Sequence, residues 1–380
     1  MILCPTSMSV QRVHRAIGNM LNRVGPRWIT NEAAEHESLR PEHAVGPYLT
    51  VTNSEIDGFN DAFSDEIDSD FASSICCCDA CFEDFRDHWP DVPFRRMEFQ
   101  TQSTSVFYAV DNTRLPGTWS PAEISTLRHF VRCERCGEYV TGSIWIYEHT
   151  FSDVAAIERQ IDELLTIGDE TPFLLLEHEF ARRVLAHVRS AVGSAGILAT
   201  GTSLFRARTA ASISSSGQDA GDLQAYAPPP TRLVGEGRFN HAGTPVLYLA
   251  SSPEAAGAEI GAPGEICLIA ELVTSCPLVL LDLVDIDEDA PGYELMGPLA
   301  SSALLAAPLS GEGWRKKQYV FSRFVADCAR AAGYGAIRYA STKNIDGTNI
   351  VVLAPPLRIE QIVSLAGVEQ SVGLAARKRY

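Results

Sequence analysis

The chain has no long hydrophobic run and no excess of basic charge. Its first residues, MILCPTSMSV, carry only a three-residue apolar patch, so neither a secretory core nor a cleavage site is expected. The most apolar stretch, Leu268 to Leu283, is interrupted by Glu271, Ser275, Pro277 and Asp282, which excludes a spanning helix there. The expectation is a cytoplasmic protein with no membrane partner. With 31 Lys and Arg against 48 Asp and Glu, the net charge is −17, and the overall field repels polyphosphate. Nucleic acid is therefore not the expected partner, and a phosphate-bearing ligand needs a local arginine site. Internal repeats are also missing.

What is present is ordinary globular composition over 380 residues, 46% hydrophobic and 21% charged, too long for one core. Two domains and a tail are expected: a mainly helical N-terminal domain over 1–195, a second domain over 196–360, and a tail over 361–380. Val10, Val13, Ile17, Met20, Leu21 and Val24 predict an amphipathic helix over about 9–24. The acidic stretch SEIDGFNDAFSDEIDSDF reads as a solvated helix or a linker. Ser120 before Pro121 predicts a capped helix, Val154, Ile157, Ile161 and Leu164 form a helical stripe, and a further helix is expected over 172–192. Beyond residue 195 come short apolar strands, PVLYLA, EICLIAELV, LVLLDLV and NIVVLAP, with one helix, KQYVFSRFVADCARAAG. The Ser/Gly-rich 212–222 segment reads as a mobile loop.

Ten cysteines include a consecutive trio, Cys76 to Cys78, and two C-x-x-C pairs, Cys78 with Cys81 and Cys133 with Cys136. A thiolate pair on one tight turn supplies two corners of a tetrahedron, so two such turns predict a structural Zn2+ within a zinc-ribbon-like segment at 76–147. Cys76, Cys77 and His88 are alternate ligands, and unligated buried cysteines are the competing reading. On the segment LEHEFARRVLAH, His178 and His187 are nine residues apart, which excludes a metalloprotease pair on one helical face.

In the C-terminal half LFRAR, APPP, GRFNHAGTPVLYLASSPEAAGAE and YVFSRFVADCARAAGYGAIRYASTKNIDGTNIVVL follow in order. This set closely resembles the RES domain family, NAD-consuming toxins of bacterial toxin–antitoxin pairs, over about 204–353. The resemblance implies an α+β protein whose RES domain has a mixed α/β core like that of ADP-ribosylating toxins, with NAD+ as substrate. It implies Arg238, Tyr248, Glu259 and Ser341 as the catalytic group, with Arg206, Arg208 and Asn349 binding the dinucleotide; Asn344 is a rival to Asn349. The chemistry suits these residue types. Guanidinium forks bind the two phosphates, and a carboxylate stabilises the positive charge that builds on ribose as nicotinamide leaves. Nicotinamide departs as a neutral molecule, so no strong general acid is needed.

The acceptor of ADP-ribose stays open: water gives a glycohydrolase, inorganic phosphate a phosphorylase, a protein side chain an ADP-ribosyltransferase. A zinc-containing binding module with an inactive catalytic domain is the reading from another class. The resemblance further implies a helix-turn-helix antitoxin as partner, and leaves a homodimer open. The knuckles and the helix AAIERQIDELL resemble, more faintly, a HEPN-type helical domain attached to some RES proteins. HEPN ribonucleases pair an arginine and a histidine, and Arg182 and His187 have that kind of spacing.

Overall fold

The computed structural model describes residues 49–71, 73–97, 99–100, 102–147, 154–308 and 316–373. The helix expected at 9–24 and the basic end at 376–380 lie outside the described residues. The described residues fall in one compact unit. Among the described residues are two sheets and a set of helices, a mixed α+β architecture.

The acidic stretch is the helix α1, Asn53–Phe71. Its thin apolar stripe of Ile56, Phe59, Phe63 and Ile67 is buried while the acidic residues between face outward, so it is a packed helix and not a linker. Three strands, β1 (Ser74–Cys78), β2 (Thr104–Ser105) and β3 (Ser143–Tyr147), pair antiparallel in the order β1-β3-β2. The helix α2 (Val154–Glu170) buries Ile157, Ile161 and Leu164 as its stripe predicts. The helix expected over 172–192 is broken. Pro172–Glu177 is a 3-10 turn, His178 takes an extended conformation (ψ 133°), and α3 runs over Glu179–Ala191. The imidazole Nδ1 of His178 accepts the Phe180 N–H at 3.2 Å, a side-chain cap that starts a new helix where a continuous one was expected.

The second sheet has eight strands: β4 (Gly196–Leu198), β5 (Ser203–Thr209), β6 (Leu247–Ala250), β7 (Ile266–Thr274), β8 (Leu278–Asp282), β9 (Ala336–Ala340), β10 (Thr348–Val352) and β11 (Val363–Val372). Their spatial order is β11-β7-β5-β6-β10-β9-β8-β4. Among the described residues only β8 and β9 pair in parallel, and the crossover this requires contains α5 (Tyr293–Ser301) and α6 (Val320–Ala332). The helix α4, Pro253–Ile260, lies between β6 and β7. Residues 361–380, expected as a tail, include β11, which pairs with β7 from Val363↔Thr274 to Val372↔Ile266. Its mixed polar and small residues suit an edge strand and give no clean alternation. The 212–222 segment, expected as a loop, opens within the helix Ala210–Ser216, capped by Thr209, whose hydroxyl accepts the Ser212 N–H.

Alternation sorts the sheet's two faces. Leu204, Leu247, Leu249, Ile350 and Val352 share one buried cluster. Val351 and Ile337 join a larger one that also holds Trp89, Ile161, Val184, Tyr293, Phe321 and Val325. Residue 195 thus marks where the second sheet begins, yet helices before it and strands after it share apolar packing. Gly168 of α2 lies so close to Val320 of α6 that a Cβ there would come within 3.3 Å of its Cγ1. Ile161→Ala, at 1% exposure in this shared core, is expected to cost about 2–5 kcal/mol in chemical denaturation. A loss below about 0.5 kcal/mol, the surface value, would mean that α2 packs elsewhere.

Candidate active site and metal centre

The helix α4 starts at Ser252, whose hydroxyl accepts the Ala255 N–H at 3.1 Å, and stops at Gly261 in the left-handed region (φ 62°). Glu259 therefore stands in its last turn, where the helix dipole is negative and a carboxylate is disfavoured. Compensation comes from the segment around β10. Ser341 Oγ donates to Glu259 Oε1 at 2.6 Å, and Asn349 Nδ2 donates to the same oxygen at 2.8 Å. Lys343 Nζ donates to the Glu259 carbonyl at 2.6 Å and stands 3.9 Å from Oε2. Ser341 Oγ itself accepts the N–H groups of Lys343 and Asn344, both at 3.2 Å, which turns its proton toward the carboxylate. Ser341 and Asn349 are buried, whereas the Glu259 side chain keeps 34% of its surface exposed. The buried Asn349 Oδ1 has no protein hydrogen-bond partner. Asn344, the rival to Asn349, spends its Oδ1 on the Asp346 N–H within its own loop.

Arg238 sits in a turn whose shape depends on Tyr248. The Tyr248 hydroxyl donates to Asn240 Oδ1 at 2.9 Å and accepts the Phe239 N–H at 3.0 Å. Gly237 closes the turn, since a Cβ there would fall 2.3 Å from Asn240 Oδ1 and 2.8 Å from the phenol oxygen. Burial pushes the Tyr248 phenol up to about 12, against the Phe239 N–H, so it is a neutral donor at physiological pH. From this turn the buried Arg238 guanidinium reaches the Ala307 carbonyl at 2.9 Å and Thr342 Oγ1 at 3.4 Å. It also lies 5.2 Å from the Tyr319 ring centroid and 5.8 Å from that of Tyr339. Burial raises the Tyr339 phenol, and Tyr248 and Glu259 add to the effect. Tyr339 also lies opposite Asn349 in the β9–β10 ladder.

Arg206 touches this group through the Tyr248 backbone, and Arg208 bonds elsewhere. Phe205 and Ala207 of β5 pack toward Ala255 and Ala256 of α4, so the residues alternating with them face the other way. Strands β5 and β6 pair only at Phe205↔Ala250, and Arg206 Nη1 donates at 3.2 Å to the Tyr248 carbonyl beside that gap. Burial, reinforced by Arg208, lowers its guanidinium to about 10. Arg208 is spent on Ser212 Oγ at 3.3 Å and the Ala225 carbonyl at 3.2 Å.

The two cysteine pairs meet. The Sγ atoms of Cys78, Cys81, Cys133 and Cys136 all lie within 4.8 Å of one another, with three of the separations at 3.7–3.8 Å. Zinc–thiolate bonds of about 2.3 Å give a tetrahedron with edges of about 3.8 Å, so the donor set fits that ion. Gly137, at φ 74°, lets the second knuckle turn back on itself. His88 instead binds the Asp84 carbonyl and Asp162, and Cys76 Sγ donates to the Trp145 carbonyl. Neither they nor Cys77 belong to the four-sulfur group. Arg182 is held by the carbonyls of Leu176 and Glu177, while His187 packs against Gly292. Five residues on a helix separate two side chains by roughly 140°, which points Arg182 and His187 to different faces.

Sequence reasoning missed Gly237, Asn240, Tyr339, Thr342 and Lys343. Each lies within three residues of one that was singled out, so the signal was proximity. Tyr248→Phe removes the donor to Asn240 and the acceptor for Phe239, and is expected to cost about 1–3 kcal/mol, read as a lowered Tm. An unchanged Tm would show the turn to be held otherwise.

No curated protein matches the chain. Residues 203–366 match the family model of the RES domain, which takes in β5 to β10, α4 and every member of the Glu259 group. This part of the chain belongs to the RES domain family.

Proposed function

We propose that the chain is a toxin-like enzyme that cleaves NAD+ to nicotinamide and an ADP-ribose product, the reaction for which a RES domain is suited. The observation that carries this reading is the Glu259 carboxylate. Oε1 is fixed by two buried donors, while the side chain stays one-third exposed and Oε2 stands 3.9 Å from the Lys343 ammonium. Such a group meets the positive charge of an oxocarbenium-like ribose without reorganising. The electron pair of the ribose–nicotinamide bond leaves with the ring nitrogen and neutralises the pyridinium. Water attacking the ribose carbon gives ADP-ribose and a proton; inorganic phosphate gives the phosphorylated sugar. Arg238, with the Tyr319 and Tyr339 rings beside it, supplies the cation for the anionic part of the substrate. Tyr248 holds the turn that carries Arg238, and Ser341 and Asn349 hold Glu259 in place.

The division of labour follows. The region to residue 195 supports the RES domain, and residues 196–360 carry the chemistry. Cys78, Cys81, Cys133 and Cys136 would hold a zinc ion as thiolates. Four protein ligands close the tetrahedron, so the ion would supply folding energy and leave no open coordination position for a substrate.

Purified protein is expected to release nicotinamide from NAD+, and Glu259→Gln to lower kcat by about 10²- to 10³-fold. Comparing turnover with and without phosphate identifies the acceptor, and label retained on protein would reveal a transferase. Turnover by Glu259→Gln equal to that of the unaltered protein would overturn the assignment. Elemental analysis is expected to find one zinc per chain, lost in Cys81→Ser together with a fall in Tm. A metal-free chain with unchanged Tm would rule the structural ion out.

A further inference from the structure

The loop that presents Ser341 and Asn349 is held by a residue from outside the RES domain. Ser341 N–H donates to the Gly347 carbonyl at 3.1 Å and Gly347 N–H to the Asn344 carbonyl at 3.2 Å, so residues 341–347 close into a tight loop. Gly347 is pressed against α4, where a Cβ would meet Ala255 Cβ at 2.7 Å. Closing the loop gathers carbonyl oxygens whose dipoles repel one another and need a shared donor.

Arg95 supplies it. The short helix Val92–Arg95 lies far away in sequence, yet Arg95 Nη1 donates to the Ile345 carbonyl at 2.8 Å. Nη2 donates to the carbonyls of Asn344 and Gly347, both at 3.0 Å, and to that of Ser341. Four carbonyls thus converge on one planar cation, a task that suits the fixed fork of a guanidinium and not a lysine ammonium. Asp91, one turn earlier, places Oδ1 2.9 Å from Arg95 Nε and aims the fork. Both side chains are nearly buried, at 13% and 11% exposure. The same stretch is tied down on its other flank: Cys81 begins the turn into the helix Phe82–His88, and Trp89 follows fully buried.

From this arrangement, and resting on the NAD-cleaving reading of the Glu259 site, we infer that Arg95, aimed by Asp91, is a positioning residue for the reaction. It sets the 341–347 loop so that Ser341 Oγ and Asn349 Nδ2 both reach Glu259 Oε1. It touches no reacting atom. The proposal also gives the N-terminal region a defined task, because the RES domain match begins at residue 203 and does not contain the residue that locks its own loop.

The test uses the full chain with Arg95→Ala and the milder Arg95→Lys, each checked for folding by circular dichroism. Hydrogen exchange without ligand reads the loop directly. Faster exchange at the amides of Lys343, Asn344 and Gly347, with unchanged protection in α2 and α6, is the expected result. NAD+ turnover is expected to lose about 10²-fold in kcat, since a displacement of about 1 Å at a catalytic group costs that much, with KM within about twofold. Free guanidinium added to Arg95→Ala should restore part of kcat, which a general loss of structure would not allow. Loop exchange and kcat equal to those of the unaltered protein in both variants would overturn the inference. Should the unaltered protein cleave no NAD+, the functional reading fails, while the exchange data still decide whether Arg95 holds the loop.

Discussion

The hydrogen bonds that Ser341 and Asn349 give to a single oxygen of Glu259 are the constraint on which the site depends. They join the end of α4 to the loop before β10 and to β10 itself. A carboxylate in the last turn of a helix opposes the local dipole, and the chain tolerates it because two buried donors and a lysine face it. The rest of the neighbourhood serves that contact. Tyr248 shapes the turn that carries Arg238, Arg238 reaches Thr342 beside Ser341, and Arg95 holds the loop from behind.

Much of this was legible in the sequence where the pattern was local. The stripe at Ile157, Ile161 and Leu164 gave α2, and the short apolar runs PVLYLA and NIVVLAP gave β6 and β10. The short-range C-x-x-C spacing located both halves of the sulfur cluster, although helices and a strand fill the long interval between them. Of the ordered set Arg238, Tyr248, Glu259 and Ser341, Ser341 donates to Glu259, while Arg238 reaches Thr342 next to Ser341.

What was not legible depended on geometry across the chain. Arg95 and Ser341 are 246 residues apart and no spacing links them. Arg206 and Arg208 had the right chemistry for phosphate, but strand alternation turns them away from α4, and a motif read as a string carries no face. His178 breaks the expected 172–192 helix through its own ring nitrogen, a choice that helix propensity does not encode. Strand β11 was missed because an edge strand needs only one buried neighbour and its pattern is correspondingly weak. Tyr248, expected in the catalytic group, has its hydroxyl occupied by Asn240 and Phe239, a contact that no spacing encodes.

The physical account is therefore one of a one-third-exposed carboxylate held by two buried donors, with Arg238 and the Tyr319 and Tyr339 rings anchored beside the same loop through Thr342. The measurement that tests it most directly is a crystal structure of the Glu259→Gln protein soaked with NAD+. The account predicts the nicotinamide ribose in van der Waals contact with the residue 259 side chain and the diphosphate on the Arg238 side. Dinucleotide density bound elsewhere, with residue 259 and Arg238 untouched, would contradict it.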